Sequence, residues 1–362
     1  MFTTKHSMSL RHPIENEISL TPTLSPFDKA QGRRGNGRGR FDPKSNGSRS
    51  LLYYPRPLCG RGKGEGSGAI VLANPRIQLS RVSDFVALTK PEITFLVLLA
   101  TAVGSIMASA SVNPVSLFHA LFGTALVASG AAALNQYLER FHDATMRRTG
   151  NRPLPAGRLS PREALYFGTG LSAAGSLYLA LSANTLTSMI GLITVLSYLF
   201  VYTPLKRRTH LCTLIGALPG AAPVLMGWSS VQGSLAPEAW LLYATLFLWQ
   251  FPHFLAIAWL YREDYAQAGM LMLPRENNDR RSSFRTMWVA SIGLVSTTLV
   301  PSLIGMTGKL YFHAALWLGL GLLFFVYRVS SRPSKNAARQ LLKATVIYLP
   351  LLYLVMILDR TG

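Results

Sequence analysis

From Asp84 to the C-terminus the chain is a succession of apolar stretches, each long enough to cross a lipid bilayer and separated by short polar interruptions. They fall near 92–110, 117–138, 163–182, 186–202, 211–229, 238–261, 286–306, 310–327 and 341–358. Each holds roughly 17 to 24 residues, which at about 1.5 Å per residue matches a hydrocarbon core roughly 30 Å thick. A soluble helical bundle would need a polar face on every helix, and these segments are apolar nearly all round. The spacing therefore predicts an all-α polytopic membrane protein, with nine transmembrane helices around a central cavity. Only 14% of the residues are charged, and the mean hydropathy is +0.26 even though the first quarter is polar. Cys59 and Cys212, one in a polar tail and one in an apolar run, supply neither a disulfide framework nor a CxxC metal or redox site.

The 36 Lys and Arg against 16 Asp and Glu leave a net charge of +20, and their placement decides what that charge means. Residues 1–83 carry 14 basic and 5 acidic residues with 10 Gly and 7 Pro, and show no helical or strand period, so this segment reads as a disordered basic tail ahead of a domain over 84–362. Its Gly/Arg tract, 32–40, is compatible with an RNA-binding arm or an inert tail. A mitochondrial transit peptide would be nearly free of acids, and five stand here. In the domain, the loops after the second, fourth, sixth and eighth spans hold 19 Lys and Arg, whereas the loops on the other side hold only Lys309. Basic loops mark the cytoplasmic side, which predicts a cytoplasmic N-terminus and a periplasmic C-terminus. The excess charge is then topology signal and tail, not a nucleic-acid footprint. A bacterial inner membrane is the expected location, with the mitochondrial inner membrane second.

Two cytoplasmic loops, 139–162 and 262–285, are far longer than a turn requires, and such loops are often functional. The acids of the domain gather in them. Asn135, Glu139 and Asp143 follow one another at spacings of four, so a helix running that far brings their oxygens onto one face. Two carboxylates and an amide are too few to enclose Ca²⁺ but suit Mg²⁺, which keeps waters and takes ligands from a substrate phosphate. The arginines that follow, Arg148 and Arg152 among them, can hold that phosphate in bidentate fashion. The alternative is a helix end whose acids merely pair with neighbouring arginines. The second loop opens with Glu263 and Asp264, and between the two lies Lys206-Arg207-Arg208, either a clamp for a diphosphate–metal complex or a lipid-facing topology anchor. Within the sixth span, His253 follows Pro252 and reads equally as a haem-iron ligand, a base or a hydrogen-bonded interior histidine.

The pattern Asn135-x3-Glu139-x3-Asp143-x2-Met146-x-Arg148-Thr149-x2-Arg152-Pro153, then Tyr202-Thr203-Pro204-Leu205-Lys206-Arg207, then Pro252-His253-Phe254 with Asp264-Tyr265-x2-Ala268-Gly269, resembles the UbiA-type intramembrane prenyltransferases, in the branch of the protohaem IX farnesyltransferases. The likeness spans roughly 84–358, and nine helices fit that family. It implies transfer of a farnesyl group from farnesyl diphosphate to a vinyl group of haem b, forming haem O. It also implies Mg²⁺ held with diphosphate by Asn135, Glu139 and Asp143 at one site and by Asp264 at a second. Lys206, Arg207, Arg148 and Arg152 would steady the diphosphate, Asp143, Asp264 and Lys206 would be the catalytic set, and His253 a candidate haem contact. Haem A synthase or an oxidase-assembly factor is the kind of partner implied. Two positions depart from the family pattern: Phe141 stands where an Asp is common, and Gly269-Met270-Leu271-Met272 replaces the usual Gly-x-Pro-Met. Prenyl transfer to an aromatic quinone precursor and a non-catalytic haem-handling assembly factor are the competing readings. A transporter fits poorly, because its ionisable groups would sit near mid-membrane.

Overall fold

In the computed structural model the described residues are 75–209, 211–271 and 277–361. The tail expected to be disordered therefore lies outside them up to residue 74, as do Met272, Arg275 and Glu276. The described residues form helices: α1 (Pro75–Leu88), α2 (Pro91–Met107), α3 (Pro114–Asp143), α4 (Pro161–Ser182), α5 (Thr185–Leu196), α6 (Thr203–Leu205), α7 (Cys212–Gln232), α8 (Pro237–Leu260), α9 (Arg262–Gln267), α10 (Asn277–Leu303), α11 (Lys309–Ser331) and α12 (Lys335–Leu358). A π-helical turn, Ser197–Tyr202, joins α5 to α6. Eight of these segments are long and apolar enough to cross a membrane, or nine if α1 and α2, bent by 47° at their junction, make one broken span.

The chain starts these helices with local chemistry. Prolines stand at the first positions of α2, α3, α4 and α8, where a missing N–H costs nothing and φ is already helical. Asn113 caps α3, Asn184 caps α5, and Ser160 with Glu163 forms a reciprocal capping box on α4. Several helices outrun their apolar stretches. α3 continues to Asp143 instead of ending near 138, and α10 starts at Asn277 instead of near 286. The long loops expected at 139–162 and 262–285 are shortened accordingly, the second also by α9. The reason is that hydropathy sees only the lipid-facing length of a helix, whereas backbone hydrogen bonding carries it on into the polar boundary. α1, too polar to register as a span, was not expected.

Helices approach closely where side chains are small. At Gly104 and Gly227 the α2 and α7 backbones meet so tightly that a Cβ would collide with a carbonyl of the other helix, and Gly130 and Gly168 do the same for α3 and α4. Apolar packing fills most of the interior: Trp228, Leu242, Leu294, Tyr311 and Leu352 belong to one cluster drawn from α7, α8, α10, α11 and α12. Large apolar side chains such as Phe95, Leu181 and Trp317 point outward, as lipid contact requires. Against that apolar interior, Asn135, Glu139, Asp143 and Lys206 are conspicuous as buried polar groups.

Candidate active site

Because α3 stays helical to Asp143, Asn135, Glu139 and Asp143 do share one face, and they are 1%, 7% and 1% exposed. Asn135 Nδ2 donates to Glu139 Oε2 at 2.8 Å, and Thr203 Oγ1 donates to Asn135 Oδ1 at 3.2 Å. Lys206 Nζ donates to Glu139 Oε1 at 2.7 Å, and an Arg152 guanidinium nitrogen donates to Asp143 Oδ2 at 2.7 Å. Charges this deep persist only when paired, so each carboxylate and its cation hold one another in place. Lys206 arrives here because the π-helical turn before it re-aims the chain, a distortion common at functional sites. Its ammonium lies 4.4 Å from the centre of the Tyr202 ring. Burial disfavours the charged amine, but Tyr202 and Glu139 beside it outweigh that cost and hold Lys206 above its ordinary range.

The second motif joins this cluster through the turns after α3. Arg148 donates to the Tyr265 hydroxyl at 3.2 Å and lies over the rings of Tyr261 and Tyr265, at 5.0 and 5.7 Å. The Leu271 amide donates to the Lys206 carbonyl at 2.7 Å. Met146, Cys212, Ala258, Tyr265, Ala268 and Met270 pack into one apolar knot beneath these contacts. Three sequence-distant motifs thus meet at one end of the bundle. Asp264 itself is half-buried on α9 and makes no ion pair among the described residues. Nor do the acids of the two motifs merge: among the described residues no three His, Cys, Asp or Glu side chains form a metal-holding group. Glu139 and Asp143, expected at a first site, stand on α3, and Asp264, expected at a second, stands on α9, so the carboxylates lie on two rims.

Two other positions singled out in the sequence lie at the surface. Arg207 is exposed, one residue beyond the buried Lys206. Phe141 is 63% exposed with the Arg140 guanidinium 4.3 Å from its ring centre, two residues along α3 from Glu139 and so on the far face. A carboxylate at position 141 would not have faced the cluster, and the departure there removes no ligand.

Lys90 was not anticipated. It occupies the bend between α1 and α2 with φ 49° and ψ 64°, a left-handed conformation that costs a residue with a Cβ roughly 1–2 kcal/mol and sits awkwardly before Pro91. Packing enforces it: Gln136 Nε2 donates to the Leu88 carbonyl at 2.9 Å, and Arg158 Nε donates to Asp84 Oδ1 at 2.8 Å, pinning α1 beside the α3 site face. The Lys90 amine lies within electrostatic reach of Arg152, Glu139, Lys206 and Asp143. A lone lysine before a proline at the mouth of an apolar run was the available signal. His253 lies elsewhere, toward the middle of α8, with Nδ1 2.9 Å from Thr345 Oγ1 on α12.

A buried carboxylate face with fixed cations stands at one end of an apolar helical bundle. Residues 97–349 match the model of the UbiA prenyltransferase family, and the chain belongs to that family. It is 48% identical over 289 residues to a protein named protoheme IX farnesyltransferase from Solibacter usitatus, covering 77% of this chain and 99% of the relative. A protein of the same name from Koribacter versatilis is 45% identical over 302 residues, covering 80% of this chain and 97% of the relative. Among solved structures, a UbiA homologue from Aeropyrum pernix K1 superposes with a TM-score of 0.60 at 18% identity, covering 74% of this chain and 97% of that one. A UbiA homologue from Archaeoglobus fulgidus bound to GPP and Mg²⁺ does so at 0.55 and 16% identity, covering 75% and 99%. At such identities the likeness is one of fold.

Proposed function

We propose that this enzyme transfers the farnesyl group of farnesyl diphosphate to a vinyl group of haem b, forming haem O. The observation that carries the reading is the buried Asn135–Glu139–Asp143 face, paired with Lys206 and Arg152 and joined to the α9 rim by the Arg148–Tyr265 hydrogen bond. The family and the relatives' shared name support the choice of substrates.

The donor set fits Mg²⁺: two carboxylates and an amide on one face, open toward a substrate that supplies further oxygens. Bound by Glu139 and Asp143, and by Asp264 on the facing rim, Mg²⁺ would supply positive charge to the diphosphate oxygens. This chain's residues do the rest. As the diphosphate seats, Lys206 and Arg152 turn from their carboxylates to its phosphoryl oxygens, with Arg148 joining them from the turns after α3. Their charge stabilises the negative charge that grows as the allylic C–O bond breaks and its electron pair leaves with pyrophosphate. The apolar helix walls exclude water from the farnesyl cation until the vinyl carbon attacks C1. Water then adds to the carbon next to the porphyrin and loses a proton, completing a hydroxyethylfarnesyl side chain.

The basic loops support a site at the cytoplasmic side of a bacterial inner membrane, with the C-terminus outside. Haem A synthase or an oxidase-assembly factor would receive the product. The test is purified protein with Mg²⁺, haem b and farnesyl diphosphate, assayed by mass spectrometry. A haem heavier by one farnesyl group plus one hydroxyl group is expected. Intact haem binding without product would overturn the reading in favour of a haem-handling factor.

A further inference from the structure

Thr345 on α12 ties down two aromatic side chains of α8. Its carbonyl accepts from Trp249 Nε1 at 2.9 Å, and its hydroxyl oxygen lies 2.9 Å from His253 Nδ1. The same hydroxyl donates to the Leu342 carbonyl at 2.7 Å. A threonine hydroxyl has one proton. With that proton on the Leu342 carbonyl, the oxygen offers His253 only a lone pair, and the hydrogen between them must belong to Nδ1. A neutral imidazole protonated at Nδ1 carries its lone pair on Nε2. Ring rotation is blocked as well, because Trp249 stacks on His253 with centroids 4.6 Å apart and planes 19° from parallel.

Thr345 and Trp249 are buried whereas His253 is only half-buried, so the open edge of the ring is the one away from Thr345, which carries Nε2. No acidic or basic side chain bonds to His253 among the described residues. This is the outer-shell arrangement by which proteins orient a metal-binding imidazole: the second ring nitrogen donates to a fixed acceptor, which sets the tautomer and the ring plane. His253 stands eight residues before Tyr261, roughly 12 Å along the helix axis at about 1.5 Å per residue.

We propose that Thr345 is a positioning residue that locks His253 as the Nδ1–H tautomer, so that Nε2 serves as an axial ligand to the iron of the porphyrin substrate. This rests on the haem-farnesylating reading for its ligand alone. The test titrates ferric haem b into the purified full-length protein without farnesyl diphosphate, and reads the absorption and electron paramagnetic resonance spectra. A histidine-ligated spectrum is expected for the wild type. His253→Ala should lose it, and added imidazole should restore it. Thr345→Val should weaken haem affinity about 10-fold or more and shift the spectrum, the scale of outer-shell losses at metal sites, whereas Thr345→Ser should retain both. A wild-type spectrum in His253→Ala overturns the ligand assignment, and an unchanged one in folded Thr345→Val overturns the role of Thr345. A histidine-ligated spectrum without farnesyl transfer leaves this inference standing and defeats the proposed reaction. Turnover with spectra insensitive to His253 does the reverse.

Discussion

The two carboxylate rims of the site carry similar residue types and are built in opposite ways. On the α3 rim, both oxygens of Glu139 and one of Asp143 are engaged by Asn135, Lys206 and Arg152, and the group is buried. On the α9 rim, Asp264 stands half-buried on a six-residue helix, and its neighbour Glu263 makes an exposed pair with Lys335 at 3.1 Å. The first rim is held by its own charges. The second takes its position from outside, through Tyr265 under Arg148 and the Leu271 amide on the Lys206 carbonyl. Preorganisation, and the stability that depends on it, is therefore concentrated on one side of the site, while the chemistry draws on both.

Removing one member of a buried pair should be the most damaging change. Lys206→Met strands Glu139 in an apolar interior, and it is expected to cost about 3–5 kcal/mol of stability along with nearly all turnover. A detergent thermal melt checks the first effect and the farnesyl-transfer assay the second. Asp264→Asn separates the two quantities, since turnover should fall at least about 100-fold while the melting temperature stays where it was. A large loss of stability there would make the rims alike and break the comparison. Smaller and opposite in sign is Lys90→Gly, because glycine accepts the left-handed backbone freely. The melting temperature should hold or rise, while KM for farnesyl diphosphate increases about 10-fold, as expected of a strained residue kept for its charge. Restored KM in Lys90→Arg would confirm that charge, and a lowered melting temperature in Lys90→Gly would show a structural role. Smallest of all, Glu263→Gln should change neither activity nor melting measurably, since an exposed ion pair contributes little.

Some of this was legible in the linear chain and some was not. The spacing of four between Asn135, Glu139 and Asp143 encodes a shared face through helix geometry alone, and the common face followed once α3 proved long enough. The number of spans was readable to within the α1–α2 bend, because crossing a bilayer demands length and apolarity that leave a local trace. Pairing of these acids with neighbouring arginines was one of the readings open, but which cation meets which acid was not legible. Lys206 reaches Glu139 across 67 positions and Arg152 reaches Asp143 across nine, while Arg207, adjacent to Lys206 and chemically similar, is exposed.

By itself, then, the sequence determined a lipid-embedded helical bundle with acidic and basic motifs at one boundary, because helix period, hydropathy and charge asymmetry act over a few turns of chain. Tertiary structure decided which cation each acid meets, that Lys90 is bent into the site, and that Thr345 governs the His253 ring. Each of these depends on how distant backbones pack, as Gly104 and Gly227 let α2 and α7 meet and Gly130 and Gly168 let α3 and α4 meet. A contact of that kind leaves no period along the chain, and only the packed bundle specifies it.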